Sequence, residues 1–67
     1  MENLEKARIR MEHWIEHNDQ HQQEYNAFAQ ELEKAGQTKA ASEVRAMSAL
    51  TAKSSEHLRL AIAALKA

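Results

Sequence analysis

Three of the chain's four histidines lie in the nine-residue stretch HWIEHNDQH, where His13, His17 and His21 are spaced four residues apart. On an α-helix, the Cβ atoms of residues four apart are about 5–6 Å from each other. Two imidazoles at that separation can reach one ion at a Zn–N distance of about 2.0–2.1 Å. The spacing therefore suggests coordination of a divalent transition metal.

The fourth histidine, His57, lies far along the chain but shares with His17 a predicted heptad position at the edge of the helix pair. The register given below places it within about one helical turn of His17. We predict a metal site of His17, His57 and either His13 or His21, open at one position and suited to nickel, cobalt or zinc. Solvated surface histidines, hydrogen-bonded core histidines and a pH-sensitive surface are the alternatives.

Enzymatic catalysis is not predicted. In HWIEH the acid Glu16 precedes the second histidine, whereas the metalloprotease motif H-E-x-x-H needs it directly after the first. Di-iron helical bundles carry a glutamate three residues before a ligand histidine. In this chain those positions hold other residues, namely Arg10, Trp14, Asn18 and Ser54.

A helix stop divides the chain. There is no proline, and the one glycine, Gly36, can end a helix in the left-handed conformation. Asn3 and Thr38 are the predicted N-caps of the two helices. The predicted organisation is one all-α domain over 1–67, with a helix over about 3–35, a turn over 35–38 and an antiparallel helix over about 39–66.

Heptad repeats predict which side chains the two helices share. In the first helix the predicted seam has two rows, Leu4, Met11, Asn18, Tyr25 and Leu32, and Ala7, Trp14, His21, Phe28 and Ala35. In the second helix the rows are Val44, Thr51, Leu58 and Leu65, and Met47, Ser54 and Ala61. Aligning apolar with apolar residues places Asn18, His21, Thr51 and Ser54 at one level, a polar layer that fixes register or lines a site.

Further apolar residues lie outside this seam, and a single hairpin would leave them exposed. They are Leu4, Ile15 and Ala29 on the first helix and Leu50, Leu60 and Ala64 on the second. We therefore predict that two hairpins dimerise into a four-helix bundle through this outer stripe.

The composition argues against two classes of partner, nucleic acids and membranes. The net charge is −1, without the basic excess of a nucleic-acid-binding surface. No apolar run approaches the roughly 18 residues of a membrane span, and the absence of cysteine fits a cytoplasmic protein. Residues 1–37 carry eight acids and four bases, whereas residues 38–67 carry two acids and five bases, which favours packing of one half against the other.

The pattern H-W-x-x-H-N-x-x-H, formed by His13, Trp14, His17, Asn18 and His21, resembles the first helix of a family of small two-helix domains of uncharacterised function. That family has a short glycine-containing turn and an Ala/Leu-rich second helix, so the resemblance covers nearly the whole chain. Its association with nickel-handling proteins of anaerobic bacteria and archaea implies nickel as the metal.

Two functional hypotheses follow. The first is a dimeric metal-binding hairpin for storage, delivery or sensing, with His17, His21 and His57 as ligands and His13 as an outer ligand. The second is a structural oligomerisation or protein-interaction module without metal, in which the polar layer fixes register and the outer stripe recruits a partner helix.

Overall fold

The computed structural model describes residues 2–66, and over these residues it consists of two α-helices joined by a short turn. Helix α1 spans Glu2–Lys34 and helix α2 spans Thr38–Ala64. The Cα atoms occupy 53 × 15 × 10 Å, the dimensions of two long helices lying side by side. The predicted all-α antiparallel hairpin is confirmed. Neither described helix is long and apolar enough to cross a membrane.

The turn is built on Gly36, which has a φ of +81°. The Gln37 amide donates to the Leu32 carbonyl at 2.8 Å, and the Gly36 amide donates to the Glu33 carbonyl at 3.0 Å. These two hydrogen bonds form a Schellman motif, which satisfies carbonyls at the end of α1 and requires the left-handed conformation that glycine adopts without strain.

The predicted N-caps are not at the helix starts that the structure shows. Gln37 occupies the N-cap position of α2 without a side-chain hydrogen bond, and Thr38 is already helical. The chain re-enters a helix one residue early because the Gln37 carbonyl accepts from the Ala41 amide at 3.0 Å. At the other end, α1 begins at Glu2, so Asn3 lies inside the helix.

One row of each predicted seam is correct. All residues of this row are half-buried, namely Leu4, Met11, Asn18, Tyr25 and Leu32 on α1, Val44, Thr51 and Leu58 on α2, and Leu65 directly after α2. The second row is wrong by one residue in both helices, because it lies four residues after the first row rather than three. It comprises Arg8, Ile15, Gln22 and Ala29 on α1 and Ala41, Ser48, Ser55 and Ile62 on α2.

Side-chain size explains why the observed second row of each helix lies one residue after the predicted one. Over the described part of the chain, the buried residues are all small, namely Ala29, Ala41, Ser48 and Ser55. Small side chains let two helix backbones approach more closely than aromatic rings would, and the distance between helix axes depends on the side chains at the contact. Trp14 and Phe28, predicted as core residues, are therefore 48% and 52% exposed beside the seam.

Each helix thus has two flanks beside a common seam. At about 100° per residue, a position three after the first row lies on one side of the seam, and a position one after it lies on the other. Because the helices are antiparallel, equal rotations lead to the same side of the hairpin. We name the aromatic flank for Ala7, Trp14, His21, Phe28, Met47, Ser54 and Ala61, and the charged flank for Glu5, Glu12, Asp19, Asn26, Glu33, Arg45, Ala52 and Arg59.

Candidate metal site

The closest pair of imidazoles belongs to His13 and His17, whose ring centroids are 4.2 Å apart at an interplanar angle of 54°. Both side chains are exposed, on the part of α1 turned away from the seam. This proximity follows directly from the four-residue spacing within a continuous helix. Two imidazoles this close on one helix face can chelate a single metal ion, as the two histidines of a zinc-binding helix do.

His21 continues the row by one helical turn but is held differently. Its ring centroid is 6.5 Å from that of His17, and it stacks on the half-buried Tyr25 at 5.8 Å with an interplanar angle of 11°. Its Nδ1 lies 3.7 Å from a Glu24 carboxylate oxygen. The stack and the carboxylate fix His21 on the aromatic flank, whereas His13 and His17 face open solvent.

His57 is exposed on α2. Within the described part of the chain it has no ring contact, ion pair or hydrogen bond with the three histidines of α1. No group of three or more histidine, aspartate or glutamate side chains within residues 2–66 is placed to hold one ion. A single chain therefore brings two imidazoles together, and it does not assemble the predicted three-imidazole arrangement around His17 and His57.

The predicted polar layer is formed by different residues. The Asn18 side-chain amide donates to the Ser55 hydroxyl at 3.1 Å, and Ser55 is only 1% exposed. Ser54 and His21 lie outside the seam on the aromatic flank. Thr51 remains in the seam, but its hydroxyl donates to the Met47 carbonyl of its own helix at 3.1 Å. The register between the helices is thus one residue away from the predicted one.

The predicted outer stripe divides into two groups. Ala29 is 0% exposed inside the hairpin, and Leu4 and Ile15 are half-buried in the seam, because the observed second row runs through Ile15 and Ala29. These three residues therefore do not form part of an exposed outer stripe. Leu50 and Leu60 are 71% and 66% exposed, and Ala64 is exposed as well.

The small residues of the α2 seam were missed in the sequence analysis. Ala41, Ser48 and Ser55 recur every seven residues, a regularity that is visible in the sequence. Their low hydrophobicity concealed them, because a search for the most apolar heptad positions favours the larger Met47 over Ser48. The row Ala41, Ser48 and Ser55 is distinguished from its neighbour only at Ser48, because the neighbouring row has Met47 there and otherwise also consists of small residues.

Across the charged flank, the Arg45 guanidinium donates two hydrogen bonds to the Glu33 carboxylate, at 3.0 and 2.9 Å. These bonds, together with the charge of Arg45, hold the pKa of Glu33 below its ordinary value of 4.5. On α1 itself, Arg8 pairs with Glu5 and Glu12. Of these pairs, Glu33–Arg45 joins the acidic half of the chain to the basic half, whereas the Arg8 pairs lie within α1.

Comparison with known proteins identifies a family. A family model described as a domain of unknown function (DUF8180) matches residues 7–65, nearly the whole chain. No curated protein and no solved structure matches the chain. The chain belongs to this family of small domains of unknown function.

Proposed function

We propose that this member of a family without an assigned function binds a divalent transition metal through His13 and His17. The candidate metals are nickel, cobalt and zinc. The observation that carries this proposal is the 4.2 Å separation of the two imidazole rings. Imidazole nitrogen suits all three metals, and two ligands on one rigid helix need little rearrangement to meet at an ion. The H-W-x-x-H-N-x-x-H pattern resembles a family of small two-helix domains that is associated with nickel-handling proteins, and this association favours nickel.

The exposure of the pair fits exchange of metal rather than permanent structural binding. Structural zinc sites surround the ion with four protein ligands, and a site with fewer protein ligands leaves positions open to water or to another donor. His13 and His17 supply two ligands at the surface, which leaves the remaining positions accessible. His21, one turn further, can join as a third ligand if its ring leaves Tyr25. We therefore propose storage, delivery or sensing as the task.

Calorimetric titration of the chain with nickel, cobalt and zinc at pH 7.5 tests this proposal. We expect a dissociation constant on the order of 10 µM for the metal bound most tightly, or about −7 kcal/mol. His13→Ala and His17→Ala should each weaken binding by at least about tenfold, which corresponds to about 1.4 kcal/mol.

His57→Ala is the matched control, since it removes an exposed imidazole from the other helix. It should leave the affinity unchanged. If the chain binds none of the three metals at concentrations up to about 1 mM, or if His57→Ala weakens binding as much as His13→Ala does, the assignment to the α1 pair is overturned.

A second function, a metal-free oligomerisation or interaction module, is favoured by the Asn18–Ser55 hydrogen bond. A polar pair inside a helix seam fixes register at a cost in stability, a device typical of assembly modules. This function predicts that assembly and thermal unfolding are the same in EDTA and in nickel. The metal-binding function predicts a melting temperature that rises with nickel concentration, because a ligand that binds the folded state stabilises it.

A further inference from the structure

The isolated hairpin exposes more surface than a compact protein of its size. Its solvent-accessible area is 5203 Å² for a mass of 7.6 kDa. The scaling found for folded monomers predicts about 4300 Å² at this mass. The excess of about 900 Å² is close to the roughly 800 Å² that each partner buries in a protein–protein interface of standard size.

Large apolar side chains mark one side of the hairpin as the place for such an interface. Trp14, Phe28 and Met47 on the aromatic flank are 48%, 52% and 42% exposed. Leu50, at the α2 edge of this flank, is 71% exposed. Aromatic residues and methionine are enriched at interfaces between proteins, and contiguous exposed apolar patches indicate interaction sites.

The aromatic flank is arranged in three levels along the hairpin. The register set by Asn18 and Ser55 places Trp14 near Ala61, His21 near Ser54, and Phe28 near Met47. Apolar residues thus occupy both ends, and a polar pair occupies the middle. Any two-fold rotation that superposes two such flanks centre on centre brings polar against polar and apolar against apolar residues, which an isologous contact requires.

We propose that a second copy of this chain packs on the aromatic flank, so that His21 and Ser54 of both copies meet at the centre of a four-helix dimer. The Cα footprint of the hairpin, 53 × 15 Å, provides about 800 Å² per copy, enough for a standard interface. Burying this flank in a dimer also gives the polar groups of the central level partners across the two-fold axis. The dimer does not depend on metal binding.

Sedimentation velocity in EDTA, at about 5 to 200 µM chain, tests the surface with two matched variants. Phe28→Ser removes a 52% exposed apolar side chain from the aromatic flank, and Ile9→Ser removes a 54% exposed one from elsewhere on α1. We expect the unmodified chain and Ile9→Ser to form a dimer. For Phe28→Ser, the dissociation constant of the dimer should be at least about tenfold higher. Circular dichroism checks that both variants keep their helices.

Cross-linking provides a second test that leaves the apolar side chains in place. The chain has no cysteine, so Ser54→Cys introduces a single thiol on the aromatic flank, and Ala52→Cys introduces one on the charged flank. A short bis-maleimide should link Ser54→Cys chains into dimers several-fold faster than Ala52→Cys chains.

Three outcomes would overturn the proposed surface. They are a monomer at every concentration, equal dissociation of the Phe28→Ser and Ile9→Ser dimers, and faster cross-linking of the Ala52→Cys chain. Because sedimentation is measured in EDTA, a failure here does not bear on the His13–His17 pair. Conversely, absence of metal binding leaves this dimer unaffected.

Discussion

The two flanks of the hairpin have equivalent positions relative to the seam, but their side chains differ in chemistry and in their contacts within the chain. On the charged flank, α1 contributes acids and α2 contributes bases, and Glu33 and Arg45 meet in a bidentate pair across the helices. On the aromatic flank, Trp14, Phe28 and Met47 remain about half exposed. The charged flank carries an ion pair between its own two helices, whereas the large apolar side chains of the aromatic flank stay exposed in the single chain.

The histidines of α1 lie partly on the aromatic flank and partly on the solvent side of the helix. His13 and His17 lie on the solvent side of α1 as a close pair, and His21 lies on the aromatic flank, stacked on Tyr25. Residues that bind a small ion need to be accessible, whereas residues that specify a partner need to be covered. The row of imidazoles on α1 therefore spans both proposed sites, with His13 and His17 at the proposed metal site and His21 at the proposed dimer contact.

The largest effect on this arrangement should come from the seam that separates the flanks. Ala41→Leu inserts three heavy atoms at a position that is 0% exposed, and it must push the helices apart. Overpacking of this kind costs about 1–3 kcal/mol, which lowers the melting temperature by roughly 4–8 °C per kcal/mol in a domain this small. Ala46→Leu, the same substitution at an exposed position on the side of α2 opposite the seam, is the control. Equal melting temperatures for the two variants would contradict the observed seam.

The sequence predicts much of this fold because backbone physics determines it locally. Gly36 is the one residue suited to a left-handed helix end, and the absence of proline leaves both helices uninterrupted. The first row of each seam follows from heptad spacing of the larger apolar residues. The second row could not be assigned by hydrophobicity, because close approach of the backbones favours Ala29 and Ser48 over the larger Phe28 and Met47 one position earlier.

The candidate site was predictable to a similar extent. The His13–His17 proximity depends only on helix geometry and follows from the four-residue spacing. Contacts between the helices are harder to predict from the sequence, because an error of one residue turns a side chain by about 100°. The correct row turns His57 outward, and it replaces the expected Ser54 with Ser55 as the partner of Asn18.

A smaller effect should follow from breaking the buried polar contact in the seam. Asn18→Ala removes the donor to the Ser55 hydroxyl, which is 1% exposed. An unsatisfied buried polar group costs about 1–3 kcal/mol, and we expect the lower half of that range because a serine hydroxyl can turn to a carbonyl of its own helix. Chemical denaturation measures the change.

The double variant Asn18→Ala, Ser55→Ala tests whether the two residues act together. It should recover part of the stability lost in Asn18→Ala, because both polar partners are then absent. Strictly additive effects of the two substitutions would show that the hydrogen bond contributes nothing to the stability of the seam.

The smallest effect should come from the Glu33–Arg45 pair, because both side chains are partly exposed and exposed pairs stabilise little. The pKa of Glu33 is lower in the folded chain than its ordinary 4.5, so the pair stabilises fully above that value. This stabilisation is lost as the pH falls through the folded pKa, when the carboxylate takes up a proton. Glu33→Gln should therefore melt slightly below the unmodified chain at pH 7, and the difference should shrink as the pH falls below 4.5.

Asn26→Asp provides the opposite comparison, since it adds an acid of nearly the same size to the charged flank without removing a pair. Thermal melts of the unmodified chain and both variants between pH 3 and pH 7 separate the loss of the ion pair from a change in the charge of the flank. If the Glu33→Gln difference persists unchanged at pH 3, the substitution acts through packing or helix propensity. The charged flank would then owe its stability to something other than its ion pair, and the contrast with the aromatic flank would rest on burial alone.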